Sequence, residues 1–250
     1  MTTEATASVT QLQARLKRSA DPARASAQQA YLKSPLRHLG LRVGEVRRIE
    51  RGWVREQGAM SHDELWEFIG ELWRSPIYEL RFCAVDALSY RVELLGPADL
   101  PELRTMIGGT FTWALVDPLS IDVVGRVVEG MGSAEVDAVL DPWSTDTSFW
   151  VRRASLLCQM RVVRGPGDSA DRFFRYADAM LDEKEFFIRK AIGWVLRDMS
   201  RRRPDVVFDW LRPRADRAST VTIREAVKYL SADQRQEILD ARVRRPNERD

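Results

Sequence analysis

The sequence predicts an all-α fold, an α-solenoid of HEAT-like antiparallel helix pairs with a concave basic face, and three observations carry that expectation. A unit recurs along the chain, every copy has helical apolar spacing, and cap signals stand in front of the copies. Aligning R-F-C-A-V-D-A-L from Arg81, R-R-A-S-L-L-C-Q-M from Arg152, R-K-A-I-G-W-V-L from Arg189 and R-E-A-V-K-Y-L from Arg224 brings Ala84, Ala154, Ala191 and Ala226 into one column. The alanines lie 70, 37 and 35 positions apart, and the double-length first gap predicts a degenerate unit near residue 119, in F-T-W-A-L-V-D-P-L-S-I-D-V-V-G. Each copy has a basic residue, a small residue that permits close helix approach, and apolar residues three and four positions apart.

Taken in order, residues 1–8 are expected to form a flexible arm, followed by a helix from about Val9. Ser61 with Glu64 and Asp182 with Glu185 resemble capping boxes, Ser75-Pro76 suits an N-cap followed by N1, and Ser148 can cap a third unit. Repeat units are expected near 61–95, 99–130, 133–163, 168–203 and 204–238, within one domain over 1–240, with 241–250 flexible. Helix pairs of this period stack into a solenoid of the HEAT or armadillo kind, and an irregular helical bundle is the alternative.

Composition agrees with this and excludes other classes. The 250 residues are 44% hydrophobic, enough for a sizeable core, yet contain no apolar run of 18 residues. The first residues, M-T-T-E-A-T-A-S-V-T, lack the basic-then-apolar order of a secretory signal, so a cytoplasmic location is expected. Cys83 and Cys158 fall within apolar repeat segments, where buried free thiols are expected.

The net charge of +2 hides a segregation. Residues 1–59 sum to +6, 60–146 to −11, 147–217 to +6 and 218–250 to +1. Only five of the 39 cations are lysines, and the arginine fork matches phosphate oxygens better than a lysine point charge does. A nucleic-acid partner is favoured, because one basic residue per repeat could form a track along a backbone; a genome biased towards arginine would give the same count.

Conventional catalytic motifs are absent. His38 and His62 are the only histidines and no cysteine pair has ligand spacing, so no metal is expected. No glycine-rich nucleotide loop and no serine-hydrolase elbow occurs, so no cofactor is expected. Trp53, Trp66, Trp73, Trp143, Trp150 and Trp210 have apolar neighbours and read as packing. Trp113 and Trp194 differ: Trp194 stands between Gly193 and Arg197, and Trp113 lies four residues before Asp117, which on a helix places ring and carboxylate on one face.

Three blocks carry a resemblance: E-L-W-R-S-P-I-Y-E-L-R-F-C-A-V-D-A-L (71–88), F-W-V-R-R-A-S-L-L-C-Q-M-R (149–161) and E-F-F-I-R-K-A-I-G-W-V-L-R-D-M-S-R-R-R-P-D-V-V (185–207). Over roughly 31–235 the chain resembles the bacterial DNA alkylation repair glycosylases of the AlkD type. The resemblance implies excision of positively charged alkylpurines, chiefly 3-methyladenine and 7-methylguanine, from double-stranded DNA by a monofunctional enzyme that needs no metal or cofactor. It assigns Trp113 and Trp194 to an aromatic pair at the lesion deoxyribose, Asp117 to the catalytic carboxylate and Arg153 to a DNA phosphate. Arg152 competes with Arg153 for that phosphate, and Arg161, Arg197 and Lys190 are further candidates for backbone contact. A monomer is expected.

The chemistry suits so sparse a set. An N3- or N7-alkylated purine already carries positive charge and departs neutral, so no general acid is required. A carboxylate can stabilise the oxocarbenium-like sugar and orient water, and indole faces favour a cation by about 0.5 to 2 kcal/mol each. Asp117 has a second reading: in Asp117-Pro118 the aspartate could be an N-cap and the proline N1 of a helix starting there. A noncatalytic HEAT-repeat protein that binds damaged or branched DNA is the alternative function. The run Arg201-Arg202-Arg203 reads as well as a solvated helix end as a DNA contact.

Overall fold

A computed structural model describes residues 3–165 and 170–243. Among these residues the chain is helical, and its one extended pairing is an isolated bridge between Arg37 and Ile77. Two compact units divide at Val127 and Val128, where the sequence predicts one domain over 1–240. Repeats touch mainly their neighbours, so such an array can be partitioned along its length.

The first unit holds α1 (Thr3–Lys17), α2 (Pro22–Leu32), α3 (Val43–Gln57), α4 (His62–Arg74), α5 (Tyr78–Tyr90), α6 (Leu100–Gly108), α7 (Trp113–Pro118) and the start of α8 (Gly125–Glu129). Helix α1 begins at Thr3, so residues 3–8 of the expected arm are helical and the start near Val9 is too late. The helix then buries Leu12 and Leu16 completely, and it packs on α3 and α4. A mostly polar stretch such as residues 3–8 shows no core periodicity of its own, which is why the sequence places the boundary late. Residues 1–2 of that arm lie outside the described residues.

Helix α2 starts with Asp21 accepting from the Arg24 N–H at 3.0 Å and Pro22 at N1, and ends at Lys33 in the left-handed conformation. The loop that follows is fastened to α5. Its Leu39, Gly40 and Leu41 N–H groups donate to the buried Glu79 carboxylate at 2.9, 2.8 and 3.3 Å. Gly40 has φ +87, and a Cβ there would sit 2.1 Å from the Asp21 carbonyl oxygen, so only glycine fits. Beyond the loop, α3 packs on α5, and α5 packs on α7. Ser61 and Glu64 form the expected capping box of α4. Ser75 instead closes α4, and α5 starts at Tyr78 after Ile77.

The second unit holds the rest of α8 and then α9 (Ser133–Ser144), α10 (Phe149–Leu157), α11 (Met160–Arg164), α12 (Asp171–Ala179), α13 (Phe186–Ser200), α14 (Pro204–Leu211), α15 (Thr220–Ala226) and α16 (Ala232–Val243). Helix α16 carries Ala241 to Val243, the first part of the expected flexible tail; 244–250 lie outside the described residues. The four repeat alanines are fully buried, one of them in the first unit and three in the second. Gly193 of α13 faces α15 so closely that a Cβ would come within 2.9 Å of Glu225 Cβ and the Thr222 carbonyl. Ser148 precedes α10 but makes no side-chain cap, and Glu185 alone caps α13, its carboxylate accepting from the Phe187 N–H at 3.1 Å.

Asp182, freed from the cap, belongs to an ion-pair ladder. Arg172 and Arg175 of α12 reach back to Asp137 of α9, and Arg175 also to Asp141. One repeat on, Arg214 and Arg217 reach back to Asp178 of α12, and Arg217 also to Asp182. The aspartates of the two rungs are 41 positions apart and the arginines 42. A second regularity uses the basic residue of each repeat. Arg81, Arg152 and Arg189 each donate to the carbonyl six residues upstream, that of Ser75 at 2.9 Å, Asp146 at 2.6 Å and Glu183 at 2.7 Å. These arginines latch the loop that enters their own helix.

Candidate active site

Helix α7 excludes the cap reading of Asp117. Its N-cap is Thr112, whose hydroxyl accepts from the Ala114 N–H, and Trp113 is its first residue. Asp117 is thus inside the helix, one turn after Trp113 and on the same face, and does not cap a helix starting at Pro118. Pro118 has no N–H for the Ala114 carbonyl, and the chain answers by widening into a π-helical turn over Leu119–Val124 before α8 resumes. Within that turn the Ser120 hydroxyl donates to the Val116 carbonyl at 2.7 Å.

Asp117 is 8% exposed and Trp113 half-buried. Tyr31, near the end of α2, stands edge-on to the Trp113 indole, with ring centroids 6.1 Å apart and planes at 85°. At 74% exposure Tyr31 offers most of its ring to solvent. Sequence reasoning missed it, since α2 belongs to no recognisable repeat. The first unit also contains a cavity of about 500 Å³ lined by Trp66, Ile69, Trp73, Asp99, Glu102 and Met106. None of the candidate residues lines it.

In the second unit, Arg153 of α10 is 2% exposed. Its guanidinium donates to the Phe187 carbonyl and lies 5.8 Å from the Phe187 ring centroid, which fixes it against α13, the helix that carries the half-buried Trp194. Arg152 has a different fate. It pairs with both Glu183 oxygens at 3.0 and 2.8 Å as well as with the Asp146 and Thr147 carbonyls, which ties α10 to the loop before α13. Lys190 and Arg197 both contact the Glu225 carboxylate, joined by Lys228 at 2.9 Å. Burial works to raise the Glu225 carboxyl, but the Lys190 and Lys228 hydrogen bonds and the Arg197 charge outweigh it and hold the group down at about 2. Lys190 and Arg197 thereby staple α13 to α15 through the Glu225 carboxylate. Arg161 pairs with Glu129 at 2.8 Å near the surface. The run at 201–203 is likewise built in: Arg201 lies 4.3 Å from the Tyr229 ring centroid, and Arg202 and Arg203 donate to the Arg164 and Val163 carbonyls.

Both cysteines are buried and free, and burial pushes the Cys158 thiol up to about 12 and the Cys83 thiol well up, so neither is a thiolate nucleophile. Among the described residues no group of three or more His, Cys, Asp or Glu is placed to hold a metal ion, and no helix is long and apolar enough to cross a membrane.

An all-α helical-repeat protein with an aromatic-flanked carboxylate and a fixed arginine is the class this geometry defines. The family model described as DNA alkylation repair enzyme matches residues 12–230, and the chain belongs to that family, with DNA as its partner. Among solved structures it is similar to a predicted DNA alkylation repair enzyme from Enterococcus faecalis, at 22% identity and a TM-score of 0.77, covering 85% of this chain and 97% of that one. It is also similar to AlkD2 from Streptococcus mutans (18% identity, TM-score 0.59, 73% and 89% covered) and to smu.31 from Streptococcus mutans UA159 (16%, 0.58, 75% and 98%). At these identities the structures establish the helical-repeat fold. No curated protein sequence matches the chain.

Proposed function

We propose that the chain is a monofunctional alkylpurine DNA glycosylase that releases N3- and N7-alkylated purines, 3-methyladenine and 7-methylguanine, from double-stranded DNA. The observation that carries this reading is the placement of Trp113 and Asp117 one turn apart on α7, with the carboxylate nearly buried beside an indole that keeps part of its surface open.

In the reaction the bond from C1′ to the purine nitrogen breaks and its electron pair neutralises the cationic base, which leaves without being protonated. The sugar becomes oxocarbenium-like. Asp117 stabilises that charge and accepts a proton from the water that adds to C1′. Trp113 presents a π face to that cationic sugar, and Trp194 of the second unit offers its indole to DNA. Arg153, fixed by the Phe187 carbonyl and ring, holds a phosphate of the lesion strand. Because the leaving group carries its own activation, the reaction calls for no metal, and the enzyme acts as a cytoplasmic monomer.

Incubating methylated DNA with the wild type and with Asp117→Asn, and measuring free 3-methyladenine and 7-methylguanine, tests the assignment. The wild type should release both bases above the spontaneous rate, and the variant should be slower by a factor of about 10² or more, the usual scale for losing one preorganised electrostatic group. Wild-type release no faster than the spontaneous rate would instead leave a noncatalytic DNA-binding member of the family.

A further inference from the structure

On α3 and at the end of α5 in the first unit, arginines gather around one buried acid and one exposed phenol ring. Arg47 and Arg51 stand one turn apart on α3 and share the carboxylate of Asp86, Arg47 through Nε at 3.0 Å and Arg51 through Nε at 3.0 Å and Nη2 at 3.2 Å. Asp86 is only 4% exposed, whereas both arginine side chains are 43% exposed. The acid thus anchors the inner edge of each guanidinium and, among the described residues, leaves both terminal nitrogens of Arg47 and one of Arg51 without an acceptor.

Aromatic rings hold the planes. Arg47 lies 5.6 Å from the Phe82 ring centroid and Arg51 5.5 Å from that of Tyr90. Arg91 lies 5.5 Å from the same Tyr90 ring, tethered by a bond to the Gly58 carbonyl at 3.1 Å. Tyr90 itself is 41% exposed. Two cations, Arg51 and Arg91, therefore flank an open phenol ring, and Arg47 joins Arg51 on the single ionised acid.

The second acid of the cluster does not cancel them. Glu50, also on α3, is fully buried, and among the described residues no cation donates a hydrogen bond to either of its oxygens. Burial, with the neighbouring Asp86 carboxylate adding to it, pushes the Glu50 carboxyl up to about 8, so it is largely protonated at neutral pH and the cluster keeps an excess of two positive charges. Fixed guanidinium planes with free outward N–H groups match the oxygens of a phosphodiester. Placement supports the same partner, since α3 packs on α5 and α5 packs on α7, the helix of Trp113 and Asp117.

We propose that Arg47, Arg51, Arg91 and Tyr90 form a clamp for the phosphodiester backbone of duplex DNA. This rests on the DNA repair reading above and deepens it, assigning backbone affinity to a first-unit surface that the repeat motif does not mark.

The test measures binding of the full chain to an unmodified fluorescent duplex by anisotropy across a salt series. Each backbone contact contributes about 0.9 to the slope of log K against log salt. Arg47→Gln with Arg51→Gln should lower the slope by about 1 to 2 and weaken binding about tenfold or more near 0.1 M salt. Arg91→Gln, which leaves Asp86 and its partners in place, should lower it by about 1 and keeps the test valid if the double variant does not fold. Inorganic phosphate should compete no better than chloride at equal ionic strength. Unchanged slopes in folded variants, or stoichiometric competition by phosphate, would overturn the clamp while leaving the glycosylase reading intact. Failure of the wild type to bind duplex DNA at all would overturn both.

Discussion

Glu50 in the first unit and Glu225 in the second are both buried glutamates close to arginines, and they end at opposite extremes. Burial pushes the Glu50 carboxyl up to about 8, while three cations overcome burial and hold Glu225 at about 2. What differs is which acid receives the hydrogen bonds. Arg47 and Arg51 both donate to Asp86, leaving Glu50 bare, whereas Lys190, Arg197 and Lys228 all converge on Glu225. At Glu225 every cation converges on the ionised acid, whereas at Glu50 the arginines serve a neighbouring aspartate and the glutamate stays largely neutral.

Removing the charge of Glu225 should be the most damaging change. Glu225→Gln should cost about 3 kcal/mol at pH 7, since a carboxyl held roughly two and a half units below its unfolded value is worth about that much. The sign follows from a depressed folded value: the contribution is complete above pH 4.5 and vanishes as the pH falls towards 2. Urea unfolding at pH 7 and pH 3 should therefore show the gap between variant and wild type narrowing with acid. A gap that stays constant would mean the three cations stabilise α13 and α15 by packing alone.

Glu50→Gln should move stability the other way. With its folded value raised, Glu50 loses stability for the protein as pH climbs from 4.5 through 8. The variant should match the wild type near pH 4 and exceed it by about 1 to 3 kcal/mol at pH 9 in thermal melts, on the scale of an uncompensated buried charge. Equal melting temperatures at pH 9 would show that Glu50 finds a partner when ionised, and the contrast with Glu225 would collapse.

The smallest effect belongs to the ion-pair ladder. Asp178→Asn breaks contacts to both Arg214 and Arg217, but all three side chains are more than a quarter exposed. A loss of no more than about 1 kcal/mol is expected, shrinking in 1 M salt. A loss several times larger and insensitive to salt would make the ladder a structural element on the scale of Glu225.

The repeat period and the buried alanines were legible because helix packing writes a regular spacing into the sequence, and the shared helix face of Trp113 and Asp117 was legible from their spacing of four. Arginine roles were not. Arg152 and Arg153 are adjacent, yet one is clamped by Glu183 and the other by the Phe187 carbonyl, and nothing in R-R-A-S tells them apart without knowing which face each occupies. The Asp-Pro dipeptides make the same point. Asp21-Pro22 opens α2, but Asp117-Pro118 and Asp141-Pro142 sit inside α7 and α9. A local signal records what a segment tolerates, and packing of the flanking apolar residues selects among the options. Tyr31 and the Arg47–Arg51–Arg91 group depend on tertiary neighbours and leave no periodic trace.

The π-helical turn at 119–124 acts as a phase adjuster. It takes in one residue more than an α turn, which offsets the stretches before and after it by about 100° about the axis. Leu115, Val116 and Leu119 point inward ahead of the offset, and Val123, Val124 and Val127 do so after it. Both halves of the rod can thereby seat their apolar sides while Asp117 keeps the azimuth set by Trp113. The added residue separates the register demanded by the carboxylate from the register demanded by the core, so that each can be satisfied without compromising the other.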